Sequence, residues 1–212
     1  VLARIKNLFD LYCEPKAVYE TLQVMNTLQP GLCVLGTRLP GCFNVFEMSV
    51  RAVLGQQITV KAASTLAARL VAVYGTQVQT GIEGLTHSFP APAAILALGE
   101  NISEHLGKLG IISARANTIY QLARVLADEK NDFGFCGNPE EEMQKLQAIR
   151  GIGSWTAQYI AMRAMGWPDA FLPTDAGIKK ALPDHTPKEL QVLSEAWRPW
   201  RSYATVNLWN TL

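Results

Sequence analysis

Apolar positions recur at helical spacing along almost the whole chain. Leu2, Ile5, Leu8 and Phe9 open it, and a second stripe after Pro15 runs through Val18, Leu22 and Met25 until Pro30-Gly31. Phe46, Val50, Val53 and Leu54 form one face of a helix predicted over 43–56, which Gly55-Gln56-Gln57 interrupts. An alanine- and leucine-rich helix is predicted from Val60 to Tyr74, closed by Gly75. Shorter helices follow from Pro92 to Leu98 and from Ser103 to Leu106, and a longer one spans Ser113 to Asp128 on Ala116, Ile119, Leu122, Val125 and Leu126. The pattern restarts at Pro139-Glu140, again at Ala157, Ile160, Ala161 and Ala164, and then from Asp175 to Leu182, from Pro187 to Trp197 and from Pro199 to the end. The stretch from Gly75 to Pro90 reads as an irregular loop, and Glu129 to Asn138 as a charged, glycine-containing loop expected to be mobile. No alternating run predicts a strand pair, so the expected fold class is all-α.

The stretch with most local information is Leu146 to Tyr159. Met143, Leu146 and Ile149 give a helix face, Gly151 and Gly153 bracket Ile152 at a sharp turn, and the helical pattern resumes at Ala157. Two glycines at the turn predict left-handed backbone angles there, and the amides from Gly151 to Trp155 are expected to stand unpaired at a helix N-terminus. Such a corner suits an anion, a phosphate above all.

Leu-x-x-Ile-x-Gly-Ile-Gly-x-x-Thr-Ala resembles the helix-hairpin-helix motif of DNA glycosylases, here over 140–165. Phe171-Leu172-Pro173-Thr174-Asp175 lies where that superfamily keeps its catalytic aspartate, 22 residues beyond Gly153. Trp197-Arg198-Pro199-Trp200-Arg201-Ser202-Tyr203-Ala204 is similar to the C-terminal signature of the alkylpurine branch, the 3-methyladenine DNA glycosylase II type, and Leu109-Gly110 followed by Arg115-Ala116 also resembles the superfamily. The resemblance covers essentially all of the chain. It implies two helical lobes flanking a cleft, double-stranded DNA containing alkylated bases as the partner, and excision of a flipped base in base excision repair.

Base release makes the sugar carbon cationic in the transition state, so a carboxylate near it stabilises charge and orients or deprotonates water. The resemblance assigns that role to Asp175. On its position alone Asp175 caps the following helix, and the two roles are compatible because a helix N-terminus favours the anion. Relatives that also cleave the backbone carry a lysine nucleophile where this chain has Trp155, so the resemblance implies a monofunctional hydrolase using water. Trp155 and Tyr159 are four apart on one helix face, which fits core packing or a pocket wall; with Trp209 the family match favours a pocket whose electron-rich faces attract a cationic purine. Gln57 is expected to fill the gap left by the flipped base, where relatives can place leucine. Arg150 stands where proline commonly precedes the hairpin and adds a cation beside the phosphate site. Arg150, Gly151, Ile152, Gly153, Ser154, Trp155 and Thr156 are the expected DNA-contacting residues of the hairpin.

A formal charge of +1 excludes a blanket of positive potential, so DNA binding has to be local. Cys13, Cys33, Cys42 and Cys136 form no Cys-x-x-Cys pair, and His87, His105 and His185 lie far apart. No metal, iron-sulfur cluster or histidine base is therefore expected. The resemblance leaves one option for an ion, a monovalent cation held by backbone carbonyls at the hairpin. No run of membrane-spanning length and no leader appears, so an intracellular monomer is expected, in the cytoplasm with the nucleoid if the source is bacterial. Val1 opens inside a helical pattern, which suggests a fragment; relatives carry an N-terminal α/β domain that this chain is not expected to contain. The competing readings are a mismatch or oxidised-base glycosylase, a non-catalytic helix-hairpin-helix DNA-binding module, and a helical interaction domain without chemistry.

Overall fold

The computed structural model describes residues 1–127 and 138–212; the loop expected from Glu129 and the thiol of Cys136 lie outside the described residues apart from Asn138. The chain divides into two compact units. One comprises Val1–Phe43, Asn138–Met143 and Ala157–Leu212, and the other Asn44–Gly137 and Gln144–Thr156.

The second unit is built around one amphipathic helix. Its elements are α3 (Val45–Leu54), α4 (Val60–Tyr74), α5 (Pro92–Leu96), α6 (Ile102–Gly107) and α7 (Ser113–Leu126). Helix α7 packs against α3, α5 and α6, with Ala116, Ile119, Leu122 and Ala123 fully buried, so its stripe is the centre of this core. Burying each of its larger aliphatic side chains is worth roughly 1.5–3 kcal/mol, which outweighs any single surface contact. Asn44 and Thr59 accept from Glu47 N and Ala62 N and so cap α3 and α4.

Helix α4 has the predicted bounds, but Gly75 ends it with φ −70° and ψ 159°, outside the left-handed region expected of a glycine cap. Space is the reason for this glycine: a Cβ would lie 2.4 Å from Val71 O and 2.5 Å from Ser88 O. That close approach belongs to a short antiparallel pair, β1 (Thr76–Gln77) with β2 (His87–Ser88), where an irregular loop was expected. Strands of two residues are too short to carry a period-two pattern.

The first unit contains α1 (Leu2–Leu8), α2 (Pro15–Leu22), a 3₁₀ turn over Gln23–Thr27, α10 (Ala176–Ala181), α11 (Pro187–Leu193) followed by a 3₁₀ turn over Ser194–Trp197, and α12 (Arg201–Trp209). Two helices run from one unit's residues into the other's: α8 (Pro139–Gln147) and α9 (Ser154–Arg163). Helix α1 forms where its stripe predicts, yet none of its residues is buried. Helix α12 packs against α10 and against the 194–197 turn, burying Arg201 to Thr205, Asn207 and Leu208. Arg201 sits on the buried Asp169 through Nε to Oδ1 at 2.7 Å and Nη2 to Oδ2 at 2.9 Å, a forked pair that fixes α12 to the segment preceding Asp175. Among the described residues no helix is long and apolar enough to cross a membrane. They hold no group of three or more His, Cys, Asp or Glu suited to a metal ion.

Candidate functional site

The hairpin between α8 and α9 is closed by two tight turns, with Ile149 N donating to Leu146 O and Ile152 N to Ile149 O, both at 3.0 Å. The Ile152 amide is thereby occupied, contrary to the expectation that the whole run from Gly151 to Trp155 is unpaired: a turn this tight closes through the N–H of its fourth residue. Gly151 has φ +94°, in the left-handed region that favours glycine, whereas Gly153 does not adopt positive φ and would meet nothing within 4 Å of an added Cβ. The two glycines are therefore not equivalent. Ile152 is buried, while Arg150, Gly151, Gly153 and Ser154 are exposed beside the N-terminus of α9. This is an anion-accepting geometry.

Three side chains brace the hairpin, and none of them was singled out as a site residue. Thr118 Oγ1, on α7, lies 3.0 Å from both Ala114 O and Arg150 O, and a Cβ on Gly151 would lie 2.0 Å from the same oxygen. Gln56 Nε2 donates to Gly151 O and to Thr156 Oγ1, each at 2.9 Å. The guanidinium of Arg115 in turn donates to the backbone carbonyl of Gln56. Next to this anchored residue, Gln57 is exposed with φ +54°, a left-handed conformation that costs a residue with a Cβ about 1–2 kcal/mol. Thr118 did leave a trace in the sequence, a polar side chain inside the apolar stripe of α7, and it is 3% exposed. Because the carbonyls of Ile149, Arg150 and Gly151 all accept bonds from the protein, a cation there has only their second lone pairs.

Asp175 lies in the other unit. The buried Phe171 and Leu172 lead into it, Phe171 N donating to Gln158 Oε1 at 3.2 Å and Asp175 N to Leu172 O at 2.9 Å. Its side chain caps α10, Oδ1 accepting from Gly177 N at 2.9 Å and Ile178 N at 3.1 Å. The same oxygen accepts from Trp209 Nε1 at 2.8 Å. Asp175 is 9% exposed, so these bonds act with little competition from water. Tyr159 and Trp209 pair with ring centroids 6.3 Å apart at 46°. Of the three expected pocket aromatics, two thus meet beside the carboxylate, and the third, Trp155, belongs with the hairpin residues of the other unit, where it is half-buried on the first turn of α9. The indole's N–H edge is committed to Asp175, a role that aromatic spacing alone did not predict.

Comparison with known proteins places these features in a family. A model of the HhH-GPD superfamily base excision DNA repair proteins matches residues 50–201, and a model of the AlkA N-terminal domain matches residues 1–44, a stretch read from sequence as part of the glycosylase region. DNA-3-methyladenine glycosylase 2 of Escherichia coli (strain K12) is 38% identical over 210 residues, covering 99% of this chain and 71% of the relative. A probable bifunctional transcriptional activator/DNA repair enzyme AlkA of Mycobacterium tuberculosis is 40% identical over 216 residues, covering 99% of this chain and 42% of that protein. Among solved structures, a 3-methyladenine DNA glycosylase from Archaeoglobus fulgidus superposes with a TM-score of 0.78 over 98% of this chain and 72% of that one, at 22% identity. The chain therefore belongs to the HhH-GPD superfamily of base excision DNA repair proteins.

Proposed function

We propose that this chain is a monofunctional DNA glycosylase that flips alkylated purines such as 3-methyladenine out of double-stranded DNA and hydrolyses their N-glycosidic bond. The observation that carries the reading is the buried carboxylate of Asp175, held at the head of α10 beside the Tyr159–Trp209 pair. The identity to a DNA-3-methyladenine glycosylase over almost the whole chain supports the substrate class.

In this mechanism the exposed corner from Gly151 to Ser154 receives a backbone phosphate, and Arg150 adds a positive charge beside it. Gln57 enters the space vacated by the flipped nucleotide, its backbone already held at the angle that turns it out of α3. Tyr159 and Trp209 supply aromatic faces to a base that carries positive charge, each worth roughly 0.5–2 kcal/mol. As the bond from the sugar carbon to the base nitrogen breaks, its electron pair moves to the alkylated base and neutralises it, so no general acid is needed. The carboxylate of Asp175 stabilises the cation left on the sugar and takes a proton from the attacking water, whose oxygen forms the new bond to that carbon. With tryptophan at position 155 no Schiff base forms, and the strand stays intact. The roles are those of the protein's own residues; the hairpin carbonyls would hold a monovalent cation only as an aid to phosphate placement.

Incubation with duplex DNA treated with a methylating agent tests this. Free 3-methyladenine should appear with the native chain, leaving sites that break only on heating in alkali. Strand breaks without alkali would replace the reading with a lyase, and absence of base release would reduce the chain to a DNA-binding module.

A further inference from the structure

Trp209 enters the reading above as an aromatic wall, but its geometry does something more specific. Its Nε1 is 2.8 Å from Asp175 Oδ1, shorter than the 2.9 and 3.1 Å of the two backbone amides that converge on the same oxygen. Three donors from two helices, α10 and α12, therefore meet on one carboxylate oxygen. The indole can come so close because residue 177 has no side chain: a Cβ on Gly177 would lie 2.7 Å from Trp209 Cδ1, 2.9 Å from its Nε1 and 3.0 Å from Asp175 Oδ1. Gly177 does not take a positive φ, so conformational freedom does not explain the glycine. Its effect is to leave room for the indole.

We infer that Trp209 and Gly177 are positioning residues for Asp175, the indole N–H fixing the rotation of the carboxylate and the missing Cβ admitting the indole. Two amides of one helix turn hold Oδ1 from the α10 side, and the indole, coming from a separate helix, adds a constraint on the carboxylate's rotation about them. A charge-stabilising group gains from such fixation because its dipoles need no rearrangement as the cation forms. Helix α12 is itself fixed through Arg201 and Asp169, so the donor is delivered from a rigid support. The inference rests on the reading of Asp175 as the catalytic carboxylate.

The test compares Trp209→Phe, Gly177→Ala and Asp175→Asn, with 3-benzothienylalanine introduced at position 209 as a ring of nearly indole size that lacks only the N–H. Single-turnover base release is measured on duplexes carrying cationic 3-methyladenine and neutral hypoxanthine. Affinity is measured for two duplexes with a sugar replacement, a cationic pyrrolidine and a neutral tetrahydrofuran. Positioning predicts a loss of about 10- to 100-fold in rate on both bases in the Phe, benzothienylalanine and Ala variants, the range expected for a hydrogen bond to a charged group, and an equal loss on the two bases for benzothienylalanine, which keeps the ring face. It also predicts weaker binding to the pyrrolidine duplex with unchanged binding to the tetrahydrofuran duplex, a difference that damage to the fold would not produce. Native rates with benzothienylalanine, or a loss confined to the cationic base, would overturn the inference and leave Trp209 as a wall alone. Base release by Asp175→Asn at the native rate would instead remove the reading beneath it, and the inference with it.

Discussion

The hairpin and the Asp175 site both sit at the N-terminus of a helix, and they use it in opposite ways. At α9 the first residue, Ser154, and Arg150, Gly151 and Gly153 before it are exposed, while Ile152 and Thr156 are buried, and the side chains of Gln56 and Thr118 hold the loop's carbonyls. At α10 the first-turn amides are already taken by the protein's own anion, Asp175. The working atoms are main chain in one case and a side-chain carboxylate in the other. Substitutions should therefore act through backbone shape at the hairpin and through chemistry at Asp175.

The sharpest break between the two regions is Asp175→Asn. The isostere keeps the cap geometry but loses the charge, so base release should fall by at least about 10²- to 10³-fold while DNA affinity stays level, measured by single-turnover release against binding to an intact duplex. A comparable fall in affinity would mean that Asp175 contacts DNA. Next comes Gly151→Ala, which forces a Cβ into φ +94° and onto Thr118 Oγ1. A cost of about 2–3 kcal/mol is expected, read as a lowered Tm together with weaker binding to all duplexes alike. Gly153→Ala, where nothing stands within 4 Å, should stay within about 0.5 kcal/mol of the native protein. Equal damage from the two changes would contradict the inequivalence of the glycines.

Gln56→Ala removes two hydrogen bonds to the hairpin at a cost of about 1–2 kcal/mol, and affinity should drop for damaged and undamaged DNA in parallel. A drop on damaged sites alone would make Gln56 a lesion reader. The smallest effect is expected from Gln57→Gly. It relieves a left-handed side-chain-bearing residue and should raise stability by about 0.5–1 kcal/mol, yet slow base release through loss of the wedge. Faster release would show that Gln57 obstructs the flipped state.

How much of this was legible in the sequence follows from the range of the interactions concerned. Helix α4 has the predicted bounds, and Asp175 stands at its predicted cap, because stripe and cap are encoded within one or two turns. The contrast between Gly151 and Gly153 was not legible: it depends on Thr118, more than thirty positions earlier. Gln56 was hidden for the same reason, since its partners Gly151 and Thr156 are 95 and 100 positions away. Trp209 was found through the family resemblance, but its bond to Asp175 was not legible, because no spacing rule reports which edge of an indole faces a carboxylate 34 positions earlier.

Gly177 has a consequence for anyone who would stabilise this protein. It occupies the second position of α10, where alanine is favoured by helix propensity by up to about 1 kcal/mol, so a consensus or thermostability screen would be drawn to the exchange. The same methyl group would displace the indole from Asp175. That displacement costs about 1–3 kcal/mol of packing, which cancels or outweighs the propensity gain, so the exchange a propensity scale recommends would lower melting and slow base release together.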